Sequence, residues 1–229
     1  MMIQRIVCMV SLVSLFLLSV NLGLAAPLSS KSTKSSKTDV KRMVLVLDAS
    51  GSMWGRIRGK TKIEIAKGVL DELIDSMSGD FQVGLYTYGH RRKGDCADIE
   101  MLSAVAPLNR SELKSKIAAI NPKGKTPLSE AVRRAAKTLR YTEERATVVL
   151  VSDGLETCDM DPCKLAEELA MGGVDLTVHV IGFDISEAEQ EQLRCLADKT
   201  GGLFLAADDA NALSCRPPLI PASTRCVTF

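Results

Sequence analysis

Three short stretches carry the residues best able to do chemistry. Val44-Leu45-Val46-Leu47 runs into Asp48-Ala49-Ser50-Gly51-Ser52, so a carboxylate and two hydroxyls fall at alternate positions directly after an apolar run. Lys125-Thr126-Pro127 offers a hydroxyl at the start of a predicted helix. Val148-Val149-Leu150-Val151-Ser152-Asp153-Gly154 repeats the pattern of an apolar run that stops at a carboxylate. Carboxylate and hydroxyl oxygens are hard donors, and they suit a hard divalent cation such as Mg²⁺, which keeps several of its waters. Asp48 alone is too little charge for such an ion, and the two later stretches supply further donors. Four apolar residues before a polar loop suit a central parallel strand, and ligands of open α/β sheets bind just beyond the carboxyl ends of such strands.

The pattern D-x-S-x-S at Asp48, Ser50 and Ser52, the distant Thr126 and the later Ser152-Asp153-Gly154 resemble the metal-ion-dependent adhesion site of von Willebrand factor A domains, over roughly residues 42–208. The resemblance implies that Asp48, Ser50, Ser52, Thr126 and Asp153 fill the five ligand positions. It also implies that the hydroxyls bind Mg²⁺ directly, with Mn²⁺ or Ca²⁺ as substitutes, and that the aspartates act mostly through water. One coordination position then stays open for an Asp or Glu of a partner protein. Neutral hydroxyl ligands leave most of the cation's charge uncompensated, so the site attracts a carboxylate from outside and works as a docking point. Each piece has a plainer alternative: Asp-Ala-Ser-Gly-Ser is also a composition for a polar turn, and Thr126 could simply cap the helix that Pro127 opens.

The elements that must position these residues alternate in type. Apolar runs predict strands over 41–47, 81–88, 99–105 (an edge strand), 147–151, 174–183 and 203–206. Helical spacing predicts helices over 61–77, over 111–120 with Ser111 as its cap, from Pro127 to Leu139, and over 164–171 and 187–197. This order implies an α/β fold: a doubly wound, mostly parallel central sheet with helices on both faces. At 229 residues, 46% hydrophobic and only 4% aromatic, the chain can bury one aliphatic core. Trp54, the only tryptophan, is expected to pack under the metal loop, the alternative being that it projects as a contact residue, and His179 is expected to sit as a packed or hydrogen-bonded strand residue.

Residues 1–26 combine Arg5, an apolar stretch and Leu24-Ala25-Ala26, the form of a secretory signal; left uncleaved, the segment is long enough to anchor in a membrane. Residues 27–40 read as a flexible Ser/Lys-rich tether, 41–208 as the domain, and 209–229 as an irregular tail whose Pro217, Pro218 and Pro221 cannot continue a helix. That tail reads as an altered or truncated end. The expected location is exported, periplasmic or secreted. Removing 1–26 leaves 28 basic and 28 acidic residues, since only Arg5 is lost from 29 Lys+Arg. Such balance argues against nonspecific nucleic-acid binding. The spacing of Cys96, Cys158, Cys163, Cys195, Cys215 and Cys226 matches no zinc pattern, and in an exported chain these residues are disulfide candidates. The short 158–163 loop favours a Cys158 to Cys163 bridge, with Cys96 to Cys195 as a further pairing.

Two other functions compete with docking. A Mg²⁺ held by Asp48 and Asp153 could polarise a phosphate ester, making the chain a hydrolase, but neither motif has a Lys or His positioned beside it in sequence, and no phosphate-binding glycine loop or nucleophile elbow occurs. A metal-independent structural interaction domain is the other.

Overall fold

The computed structural model describes residues 40–154 and 156–206. The expected signal, most of the tether and the irregular tail lie outside the described residues. Strands β1 (Lys41–Asp48), β4 (Phe81–Tyr88), β5 (Ile99–Pro107), β6 (Ala146–Ser152), β7 (Leu176–Gly182) and β8 (Phe204–Ala206) form a sheet in the order β5-β4-β1-β6-β7-β8. Only β5 runs antiparallel, on the edge beside β4; all the other pairings are parallel. A small hairpin, β2 (Arg56–Ile57) with β3 (Lys60–Thr61), rises from the loop after β1.

The alternation within β1 assigns its faces. Met43, Leu45 and Leu47 join the cluster covered by α1 (Lys62–Ser76) and α2 (Arg110–Ala119), whereas Val44 and Val46 join the one covered by α3 (Leu128–Thr138), α4 (Pro162–Gly172) and α5 (Glu187–Lys199). With side chains buried on both faces, an unbroken apolar run is what a central strand requires. Each such Leu or Val stabilises the fold by about 1.5–3 kcal/mol relative to exposure. This is the doubly wound, mostly parallel α/β fold expected from the sequence.

Local chemistry sets the helix starts. Thr61 and Glu64 form a reciprocal capping box at α1, and Asp161 accepts the N–H groups of Cys163 and Lys164 at α4. One expected cap is corrected and one alternative cap is set aside. At α2 the cap is Asn109, whose side chain accepts the Glu112 N–H, which moves Ser111 inside the helix. At α3 the helix begins at Leu128 with Pro127 in the cap position, so Thr126 stands one residue too early to cap it.

The cysteine pairing is also corrected. Cys96 bonds Cys158 and Cys163 bonds Cys195, with Cα separations of 5.7 and 5.4 Å, both ordinary for disulfides. Once Asp161 caps α4, Cys163 belongs to the helix and meets α5, leaving Cys158 to the loop that carries Cys96. His179 behaves as expected: it is half-buried and its Nδ1 accepts the Leu203 N–H at 3.2 Å.

Candidate metal centre

β1 and β6 lie side by side at the centre of the sheet, and the helices that follow them, α1 and α4, cover opposite faces. The loops leaving their carboxyl ends therefore diverge and open a crevice, the switch point of a doubly wound sheet. Asp48 and Asp153 stand at the ends of these strands.

Asp48 is fully buried; its Oδ1 accepts the Ser50 N–H at 2.7 Å and its Oδ2 accepts the Ser152 hydroxyl at 2.6 Å. The Tyr88 hydroxyl donates to Ser152 Oγ at 3.3 Å from below. The Ser50 and Ser52 hydroxyls lie 2.9 Å apart, and Ser52 donates to Asp153 Oδ1 at 2.7 Å. A single-turn 3₁₀ helix, Gly51–Trp54, holds this loop, pinned by buried Met53. Four of the five sequence candidates are thus joined in one hydrogen-bonded group.

Thr126 reaches the same crevice through the main chain. Ser50 bridges Gly124 in parallel, and the Gly51 N–H donates to the Gly124 carbonyl at 2.9 Å. Thr126 is buried, donates its N–H to Thr157 Oγ1 at 2.8 Å and accepts the Thr157 N–H at 3.1 Å. Its hydroxyl makes no hydrogen bond to the other candidates. The approach of these loops depends on Gly89, at φ +69°, where a Cβ would fall 2.5 Å from the Lys125 carbonyl and 3.0 Å from Ser50 Cα.

The charges are incompletely matched. Burial, then the charge of nearby Asp153, push the Asp48 carboxyl up to about 6, against the hydrogen bonds from Ser152 and Ser50. Asp153 is buried and its Oδ2 accepts no well-aligned hydrogen bond, although the Lys62 ammonium lies 3.0 Å away. The same ammonium is 3.2 Å from Asp184 Oδ2. Burial lowers the proton affinity of Lys62, but Asp153 and Asp184 more than restore it, so it stays a cation. This corrects the expectation that no Lys is positioned beside either motif. Lys62 is the first residue of α1 and is buried there, which its place in the sequence between Thr61 and Ile63 does not reveal.

Two further residues escaped the sequence reading. Ser152 lay within the quoted motif, yet its hydroxyl serves Asp48. Glu156, with its carboxyl raised by burial, accepts the N–H groups of Ser129 at 2.8 Å and Cys158 at 2.9 Å and so closes the start of α3. Trp54 does not pack under the loop as expected: it is 53% exposed, with its indole N–H on the Pro122 carbonyl at 3.0 Å. Among the described residues no three His, Cys, Asp or Glu side chains converge. A cation here would depend on hydroxyls, and the donor set fits that demand: two carboxylates, one of them with an unsatisfied buried oxygen, and three hydroxyls around one crevice.

The family model for the von Willebrand factor type A domain matches residues 43–156. The chain belongs to this family. An uncharacterised Bacillus subtilis (strain 168) protein, YwmC, is 30% identical over 199 residues, covering 81% of this chain and 87% of the relative. Among solved structures, a von Willebrand factor type A protein from Catenulispora acidiphila superposes with a TM-score of 0.59 at 19% identity, over 75% of this chain and 40% of that one. Proximal thread matrix protein 1 of the mussel byssus, solved with a zinc-occupied metal-ion-dependent adhesion site, gives 0.55 at 16% identity, over 75% and 42%. The chain spans about two fifths of each solved protein. Von Willebrand factor A domains commonly serve as protein-interaction modules, and some carry a divalent metal.

Proposed function

We propose that this chain is an exported binding module that docks a carboxylate of a partner protein on a divalent cation, of Mg²⁺ type, held by Asp48, Ser50, Ser52, Thr126 and Asp153. The observation that carries this reading is the convergence of Asp48, Ser50, Ser52 and Asp153 through hydrogen bonds of 2.7 to 2.9 Å at the sheet's switch point, with Asp48 and Asp153 too close to be ionised comfortably together. A cation removes that conflict. When bound, it would supply a positive centre with one position free for an outside Asp or Glu. The chain's own residues orient the hydroxyls: the 3₁₀ turn sets Ser50 and Ser52, and the Thr157 pairing sets Thr126.

Two disulfides support an exported setting, as does the signal-like segment at 1–26. No helix among the described residues is long and apolar enough to cross a membrane. Among the described residues the basic group that touches a site carboxylate is Lys62, and it is held protonated between Asp153 and Asp184 and cannot act as a base for hydrolysis.

The test is a pull-down from envelope extract with the full chain in Mg²⁺ and in EDTA, beside an Asp48→Ala variant. Partners retained only by the unmodified chain in Mg²⁺ are the expected result. Equal recovery in all three samples overturns the reading.

A further inference from the structure

Beside the proposed cation position, one edge of the crevice gathers exposed side chains that the cation does not use. Gly124 is the node. It bridges Ser50, its N–H donates to the Gly89 carbonyl at 2.6 Å, and the Arg92 carbonyl is so close that a Cβ at 124 would lie 2.5 Å from it. Lys123 and Lys125 flank this glycine, and Lys93 follows Arg92, so three lysines from two loops meet within a residue of one backbone crossing. All three are exposed, and none forms an ion pair among the described residues. Their neighbours differ: Arg91 is matched by Asp98 and Glu100, and Arg92 by Asp95. The positive charge left over at this edge belongs to the lysines.

Trp54 completes the edge. Its indole N–H is fixed on the Pro122 carbonyl, one residue before Lys123, yet the side chain remains 53% exposed. A large aromatic held in place and left bare is the kind of residue that anchors interfaces, because it loses little entropy on binding and buries much area.

We propose that this edge is a docking surface for an acidic protein segment, with Lys93, Lys123 and Lys125 drawing in its carboxylates and Trp54 packing against one of its apolar side chains. The proposal rests on the docking reading above and gives its partner a chemistry: the carboxylate that reaches the cation is flanked by further acids and by an apolar residue. Charge complementarity selects a segment over a broad polyanion. The next loop, tied to Thr126 by Thr157, exposes Asp159 and Asp161, which would oppose a flat anionic membrane or a nucleic-acid backbone.

The experiment uses the full chain and the synthetic peptide Glu-Glu-Phe-Asp-Glu-Glu, fluorescently labelled, beside the same peptide with Gln at each Glu. In Mg²⁺ at low salt the acidic peptide should bind about tenfold more tightly, the sum of three modest surface attractions. A variant with Lys93→Gln, Lys123→Gln and Lys125→Gln should lose that preference while its Mg²⁺ binding, read by calorimetry with the metal alone, is unchanged. Trp54→Ala should weaken both peptides. The proposal is overturned if the lysine variant keeps the preference, if the unmodified chain has none, or if vesicles containing phosphatidylserine displace the acidic peptide while neutral vesicles do not. Lysine-dependent binding that is equal in EDTA would overturn the cation reading alone and leave the surface standing.

Discussion

Two buried aspartates near the same end of the sheet have opposite fates. Asp98 is fully buried, yet its carboxylate accepts the main-chain N–H groups of Arg91 and Arg92 at 2.7 and 2.8 Å and the Arg91 guanidinium at 2.8 Å. Burial would raise its proton affinity, but these donors outweigh it and hold the carboxyl below its ordinary value. Asp48 is equally buried, and its neighbours are hydroxyls, one N–H and a second carboxylate, so it is pushed up to about 6. The first aspartate carries its own counter-charge and fastens a loop. The second lacks one, and that deficit is what the proposed cation would fill.

Breaking the satisfied member should cost most. Asp98→Ala leaves two main-chain N–H groups without their acceptor and the partly exposed Arg91 guanidinium with only Glu100, and each donor left unsatisfied costs about 1–3 kcal/mol. Urea unfolding should show that loss; a change within the noise of a surface substitution would mean that the loop is held by the Cys96 to Cys158 bridge instead. The sign with pH follows from the lowered folded value. Stability from Asp98 is present above the unfolded carboxyl's pKa, near 3.8, and is lost as pH falls through the lower folded value. Asp98→Asn should therefore flatten the acid limb of the unfolding curve.

Asp48 should show the reverse sign in the adjoining window. Its folded pKa is raised from 3.8 to about 6, so in EDTA its contribution is fully present below about 3.8 and is lost as pH rises through about 6. The metal-free chain should melt lower at pH 7 than at pH 5 on this account. Mg²⁺ at about a hundred times its Kd should restore about 2.7 kcal/mol at pH 7. Asp48→Asn keeps an acceptor for the Ser50 N–H and reverses the other bond, its amide donating to Ser152 Oγ, so it should raise the metal-free melting point and abolish the Mg²⁺ response. A variant still stabilised by Mg²⁺ would place the cation elsewhere.

How far this contrast was legible in the sequence depends on the distance it spans. Asp48 and Asp153 could be read because each ends an apolar run, and in a doubly wound sheet the end of a central strand is already a position in space. The same logic gave the sheet, the helices and the order of layers. Asp98 could not be read, because its value lies in N–H groups presented by the folding back of residues 91 and 92. The disulfides failed for a related reason: the shortest loop favoured Cys158 to Cys163, while the partners are chosen by how α4 meets α5 and how the 91–98 loop meets residue 158. Trp54 was misjudged because large aromatics usually pack; here an acceptor at Pro122 satisfies the indole at the surface. The plainer alternative for Thr126, a helix cap, fails because Pro127 occupies the cap position itself.

Lys62 sharpens the comparison by the smallest step. It gives Asp153 part of the counter-charge that Asp98 receives in full, and it divides that charge with Asp184. An ammonium this close to a divalent cation repels it, while its removal leaves Asp153 bare when no cation is present. Lys62→Met should therefore act in two directions. The metal-free chain should melt lower, and Mg²⁺ should bind about tenfold more tightly by calorimetry, the size expected for one charge a few ångströms away at a partly solvated site. A merely structural lysine would lower the melting point and leave the Mg²⁺ affinity where it was. Weaker Mg²⁺ binding in the variant would mean that Lys62 holds Asp153 in its working orientation, and the partial counter-charge would then be a support for the site instead of a competitor.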